Sequence, residues 1–136
     1  MAGNIRLEVV TPQKEVVNEE AQIIVAQGEL GQFVVLIGHT PFMTSLKTGT
    51  LRYTDGQGQE HFVFVSGGFA EALPSKVTVL AESAERRRDI DVERARSAQA
   101  RAEKRLDAQD KDLDYERGKA ALDRAMYRVM LAGTRR

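Results

Sequence analysis

"FVFVSGGFAEALPSKVTVLAESAERRRDIDVERARSAQARAEKRL", residues Phe62 to Leu106, changes its physical character once, close to residue 85. Before that point Val, Phe and Thr dominate short runs broken by Gly67-Gly68 and Pro74-Ser75. This is the pattern of strands separated by turns. "FVFVSGGFAEAL" reads as a strand, a glycine-kinked corner and a second strand. After that point Ala95, Ala98, Ala102 and Leu106 recur at spacings of three and four, the period of one helix face. Asp89 or Asp91 is placed to cap that helix, with acidic residues in its opening turn.

The same division extends outward in both directions. "IRLEVV" sets Ile5, Leu7 and Val9 against Arg6 and Glu8, and "AQIIVAQ", "QFVVLI", "GTLRYT" and "KVTVLAE" follow as further short segments. Asp55-Gly56 lies between "TLRYT" and "EHFVFV" as a hairpin signal. Strands at this spacing, with no βαβ rhythm, predict an antiparallel sandwich or flattened barrel. Downstream, "DAQDKDLD" weakens helical preference and supplies a new cap at Asp110 or Asp112. A second helix is expected from Leu113 to Leu131, apolar at Leu113, Ala121, Leu122, Ala125, Met126 and Val129, and ended by Gly133. Small residues on both helices allow close approach, so an antiparallel helical hairpin is expected. Its apolar faces are thin, and a hairpin so held is a movable element. The predicted organisation is therefore a β-domain over 1–85 and a helical hairpin over 86–136.

Charge divides at the same place. Five Lys/Arg face nine Asp/Glu from Met1 to Ala84, a net of −4, and fifteen face eleven from Glu85 to Arg136, a net of +4. The chain has no cysteine, which excludes disulfides and thiolate metal sites, and two histidines alone make no metal cluster. No run of about 18 apolar residues is present to span a bilayer, and "MAGNIRLEVV" lacks a signal-peptide layout. These features point to a soluble, unprocessed intracellular protein.

The run "RRR" invites a nucleic-acid reading, but its neighbours alternate sign at i,i+3 and i,i+4 as on a solvated helix, with no aromatic stacking platform. Carboxylate pairs such as Glu19-Glu20 lack a nucleophile, a cleft histidine or a metal set beside them, which argues against an enzyme. His39, in "GHTP", reads as a structural or interfacial loop histidine. On residue chemistry alone the chain is an interaction protein with a detachable hairpin, its function open.

Four strings carry a resemblance that covers Ile5 to about Leu131: "VVTPQKEV", "GQFVVLIGHTPFMTSLKTGTLR", "SGGFAEALPSKVTVLAESAER" and "IDVERARSAQARAEKRL". In this order and spacing the chain resembles the epsilon subunit of bacterial F-type ATP synthase. The resemblance implies a ten-stranded antiparallel β-sandwich followed by a two-helix hairpin. It implies a non-catalytic central-stalk subunit that couples rotation to synthesis and inhibits ATP hydrolysis through the hairpin. The implied partners are the gamma subunit, the c-ring and the alpha/beta catalytic hexamer, at the cytoplasmic face of the bacterial inner membrane and peripheral to it. Glu29 and the loop Gly38, His39, Thr40, Pro41 and Phe42 are the implied contact residues. Val34 stands where the family has a glycine and Ile37 where it has a proline, so Val34 is expected in ordinary β conformation and the loop geometry is in question.

The resemblance also bears on ATP as a regulatory ligand, with no cofactor required. Some bacterial members bind ATP through an Ile/Leu-Asp-x-x-Arg-Ala motif, which stands here as Ile90, Asp91, Val92, Glu93, Arg94 and Ala95. Family positions matched by Glu85, Arg101, Arg124 and Arg128 complete the implied set. Guanidinium forks suit phosphates, and carboxylates suit ribose hydroxyls or an adenine amine. Two alternatives stand beside this: a nucleotide-blind mechanical hairpin, and an adaptor unrelated to the synthase.

Overall fold

The computed structural model describes residues 3–108 and 114–133. They form two compact units, Met1–Arg86 and Arg87–Arg136. The first contains β1 (Ile5–Val10), β2 (Glu15–Gly28), β3 (Gly31–Leu36), β4 (Phe42–Ser45), β5 (Gly49–Asp55), β6 (Glu60–Ser66), β7 (Phe69–Leu73), β8 (Lys76–Leu80) and β9 (Ser83–Arg86). The second contains a 3-10 turn (Arg87–Asp89), α1 (Val92–Asp107) and α2 (Tyr115–Gly133).

Strand order is β4-β7-β8-β1-β2-β5-β6-β9, with β3 paired to β2. Two features correct the expected ten-stranded antiparallel sandwich. Among the described residues there are nine strands, and β1 pairs with β8 in parallel, Leu7 opposite Val77 and Val9 opposite Val79. The longest of the nine, β2, is one continuous strand of 14 residues. It starts six residues before the apolar run "AQIIVAQ", in a segment too polar to be read as a strand. A register shift between Ala21 and Ile23 lets it serve twice. Its first half pairs with β1, and its second half pairs with both β3 and β5. A bulge of this kind bends a strand without ending it.

The alternation read in "IRLEVV" is realised, with Ile5, Leu7 and Val9 fully buried. They join Val17, Ile24, Val35, Leu51, Val63, Ala70 and Val77 in one core. The glycine corner has a steric cause. Gly67 and Gly68 have φ of +71° and +98°, and a Cβ on Gly68 would overlap the carbonyl oxygen of Leu80. Only glycine adopts such backbone without strain while admitting a neighbouring strand so close.

In the helical unit Asp91 is the N-cap of α1, its side chain accepting from the Arg94 amide. Ala95 and Ala102 are buried, Ala98 and Leu106 half-buried, so the small-residue stripe is the packed face. The two helices pack on each other and are joined by only seven residues, 108–114, a link short enough to require an antiparallel pair. Asp110, Asp112 and Leu113 lie outside the described residues. Asp114 performs the capping instead, its Oδ1 accepting from the Arg117 amide at 3.2 Å. Ala125 is buried on α2 as expected. Met126 is 46% exposed, so the packed stripe continues through Leu131 and Ala132 and not through Met126.

Candidate functional site

Three places in the fold carry chemistry: a basic groove between the helices, an exposed loop of the sandwich, and a polar network under β9.

The residues implied for ATP divide between the two units. Glu85 belongs to the sandwich, on β9 opposite Phe64. The remaining seven belong to the helical unit. Three of them have structural duties. Ile90 and Ala95 are buried, and Asp91 holds the first turn of α1 with a 3.0 Å bond from Arg94 N to Oδ1. Arg94 is exposed at that turn.

Arg101 and Arg124 are brought together. They line a groove of about 560 Å³ with Arg105 and Arg117, opposite the single acidic wall residue Asp114. Ala98, Ala102, Gly118 and Ala121 form the rest of its lining, and their small side chains leave the space open. Four arginines against one carboxylate give this lining a net positive charge, and a guanidinium is a planar fork of donors whose shape suits phosphate oxygens. Arg94 and Arg128 do not line this groove. Arg105 and Arg117 stand outside the set implied for ATP; the sequence offers Arg117 only as a basic residue, with Lys119 and Arg124, of a nucleotide-blind hairpin. Their spacing was the available signal, four residues after Arg101 and seven before Arg124, each on a shared helix face.

The implied contact loop is also well defined. Glu29 and Leu30 form the two-residue tip between Gly28 and Gly31, and Leu30 is 99% exposed. Residues 36–39 make a turn closed by a bond from His39 N to Leu36 O at 3.3 Å, with Gly38 at φ +78°. That is the pattern of a type II turn with glycine third and Ile37 second, where proline is favoured but not required. Ile37 therefore leaves the turn intact, and Val34 sits in the ladder opposite Val25 as an ordinary strand residue. His39 donates from Nε2 to the Leu73 carbonyl at 3.0 Å, and its ring meets Phe42 edge-on at 5.6 Å. Phe42 in turn makes an edge contact with Phe33 at 5.2 Å. Thr40 and Pro41 are exposed. Val34, Leu36, Met43 and Leu73 are exposed as well, an apolar surface suited to covering by a partner.

The third place was not legible in the sequence. The Tyr53 hydroxyl donates to Glu19 Oε2 at 2.9 Å, and Arg86 donates to both Tyr53 Oη and Glu19 Oε1 at 2.9 Å. Burial, then the bond to Glu19, pushes the Tyr53 phenol up to about 12. The His61 ring stacks on Tyr53 at 4.9 Å and bonds Asp55 Oδ2 at 2.8 Å. That bond, with backbone donation from Gln59, holds Asp55 below its usual carboxylate value. The fold thus does gather His61 with Glu19 and Asp55, their ligand-type atoms within 4.8 Å of one another. The cation already on Glu19 is the guanidinium of Arg86.

Comparison with known proteins defines the class. Residues 4–87 match the model of the ATP synthase delta/epsilon chain β-sandwich domain, and residues 88–133 match that of its long α-helix domain. The chain is 60% identical over 135 residues to the ATP synthase epsilon chain of Desulforapulum autotrophicum, covering 99% of this chain and 100% of that one. It is 49% identical over 133 residues to that of Nitratidesulfovibrio vulgaris, covering 98% of each. A chain in the cryo-EM structure of the Euglena gracilis mitochondrial ATP synthase (OSCP, F1 and c-ring) shares the fold. It matches with a TM-score of 0.80 at 22% identity over 97% of this chain and 82% of that one. The chain belongs to the ATP synthase delta/epsilon family, as an epsilon subunit of the bacterial F-type enzyme. It is thus a subunit of the complex distinct from the catalytic one, and none of its described helices is long and apolar enough to cross a membrane.

Proposed function

We propose that the sandwich couples the gamma subunit to the c-ring at the foot of the central stalk, on the cytoplasmic face of the membrane. In this reading the chain catalyses nothing itself, and the hairpin restrains ATP hydrolysis by the catalytic hexamer. ATP bound in the helical unit relieves that restraint by favouring the closed hairpin, since a ligand shifts an equilibrium by its differential affinity for two states. The loop from Gly38 to Phe42, Glu29 and the exposed apolar residues around them supply the contact surface.

One observation carries the nucleotide part: Arg101, Arg105, Arg117 and Arg124 line a single groove. A row of arginines meant only to solvate a helix would be dispersed over its outer face. Here each helix brings two arginines to one volume, whose lining holds a single carboxylate, Asp114, for the four of them. The test is titration of ATP into the isolated chain, followed by amide shifts of both helices. Shifts confined to the groove support the reading, and none at millimolar ATP removes it. A complex whose epsilon chain ends after Arg86 tests the restraint, with faster ATP hydrolysis expected. Unchanged hydrolysis in an assembled complex would return the hairpin to a purely mechanical role.

A further inference from the structure

We propose that Arg86 anchors the joint from which the helical unit departs. Its single guanidinium bolts β9 onto β2, and releasing it adds the four residues of β9 to the movable connector. The inference rests on the movable hairpin proposed above and adds to it the place where movement stops.

β9 is a poor terminus on its own. It is four residues long, stands last in the strand order, and has its ladder with β6. A terminal strand this short is held weakly by one ladder. Arg86, its last residue, adds a hold from its side chain. Nε donates to the Val16 carbonyl at 3.2 Å, one terminal nitrogen to Tyr53 Oη and the other to Glu19 Oε1, both at 2.9 Å. Val16 and Glu19 lie on β2, Tyr53 on β5, so one side chain ties β9 to two strands it does not pair with. Tyr53 closes the set by donating to the second oxygen of the same carboxylate.

The guanidinium is half of what matters; its burial is the other half. The Arg86 side chain is 12% exposed and Tyr53 is 1% exposed, although Glu19 is 38% exposed. An ion pair open to water would contribute little, whereas a shielded fork with three acceptors is both directional and costly to break. Lysine cannot replace it, because one ammonium on a flexible stem does not reach three acceptors in one plane. Arg86 is also the last residue of the first compact unit, the second beginning at Arg87.

The test is hydrogen exchange on the full chain for R86Q, R86K and E19Q, followed by ATP hydrolysis in complexes carrying each variant. In R86Q and R86K, exchange of residues 83–86 should quicken by about tenfold or more, the factor for losing bonds to a charged group. E19Q should show a smaller effect, and E19Q/R86Q should match R86Q. β1 and β5 should keep their protection, and the complexes should hydrolyse ATP faster than with the unaltered chain. Unchanged exchange at 83–86 in R86Q overturns the anchor, as does equal quickening across β1 and β5, which would mark general loosening. If hairpin removal leaves hydrolysis unchanged while 83–86 still quickens in R86Q, the inhibitory reading falls and the anchor stands.

Discussion

Asp91 Oδ1 accepts the Arg94 amide at 3.0 Å, so two residues of the nucleotide-associated motif are already bonded to each other as a helix cap. This gives the motif a structural duty in every state in which α1 is formed. Capping and ATP recognition are separable by substitution. Asp91→Ala should cost the helical unit about 1 kcal/mol, the usual loss of an N-cap, while Asp91→Asn should keep the cap. Thermal melts of both variants check this. If Asp91→Asn keeps stability but lowers ATP affinity, the carboxylate charge serves the nucleotide. Equal affinity would confine Asp91 to capping.

The four groove arginines should act on one ligand. Each of R101Q, R105Q, R117Q and R124Q is expected to weaken ATP binding by about tenfold or more. R96Q, whose partner is the exposed Glu93 on the same helix, should leave binding unchanged. Added salt should weaken binding in the unaltered chain more than in R105Q/R117Q, because screening acts on charges that remain. Calorimetric titration at two salt concentrations measures both. Normal binding by R105Q and R117Q would restrict the phosphate seat to Arg101 and Arg124.

What the sequence showed, and what it concealed, follows from the range of the forces involved. Alternation in "IRLEVV" and the alanine stripe of α1 were readable because burial repeats with the local period of strand and helix. The N-terminal half of β2 was hidden because "EVVNEE" is too polar to look like a strand, and its place is set by a ladder to β1. The parallel β1–β8 pair joins segments about seventy residues apart, and no local pattern encodes that. The Arg86 network failed for the same reason, since Arg86 and Glu19 are 67 residues apart. Arg105 and Arg117 were within reach, as helical spacing from Arg101 and Arg124 already placed them on the same faces.

Gly68 should be the least replaceable glycine of the sandwich. At φ +98° an alanine carries the left-handed penalty, and its Cβ would also overlap the Leu80 carbonyl and stand 2.9 Å from Ala81 Cα. Gly58, at φ +86° with nothing within 4 Å, carries the backbone penalty alone. Gly58→Ala should cost about 1–2 kcal/mol, and Gly68→Ala clearly more, because β8 must move to admit it. Urea unfolding of the two variants provides the comparison. Equal costs would mean that β8 yields freely at the corner.

Tyr53 and Asp55 should make stability depend on pH at opposite ends of the scale. Tyr53 is raised in the fold, so its contribution is complete below the ordinary phenol value of 10.0 and is lost as pH climbs toward about 12. Asp55 is lowered, so its contribution is complete above the usual carboxylate range and is lost as pH falls through it. A tyrosinate absorbance titration should show a late step toward about 12, and that step should vanish in Y53F. E19Q should move that step down without returning it to 10.0, because burial is the larger cause and remains. At the acid end, H61Q removes the first cause of the Asp55 shift, so the Asp55 carboxyl carbon resonance should titrate at higher pH than in the unaltered chain. A late step that persists in Y53F, or an Asp55 midpoint indifferent to H61Q, would break the link between this network and the pH response.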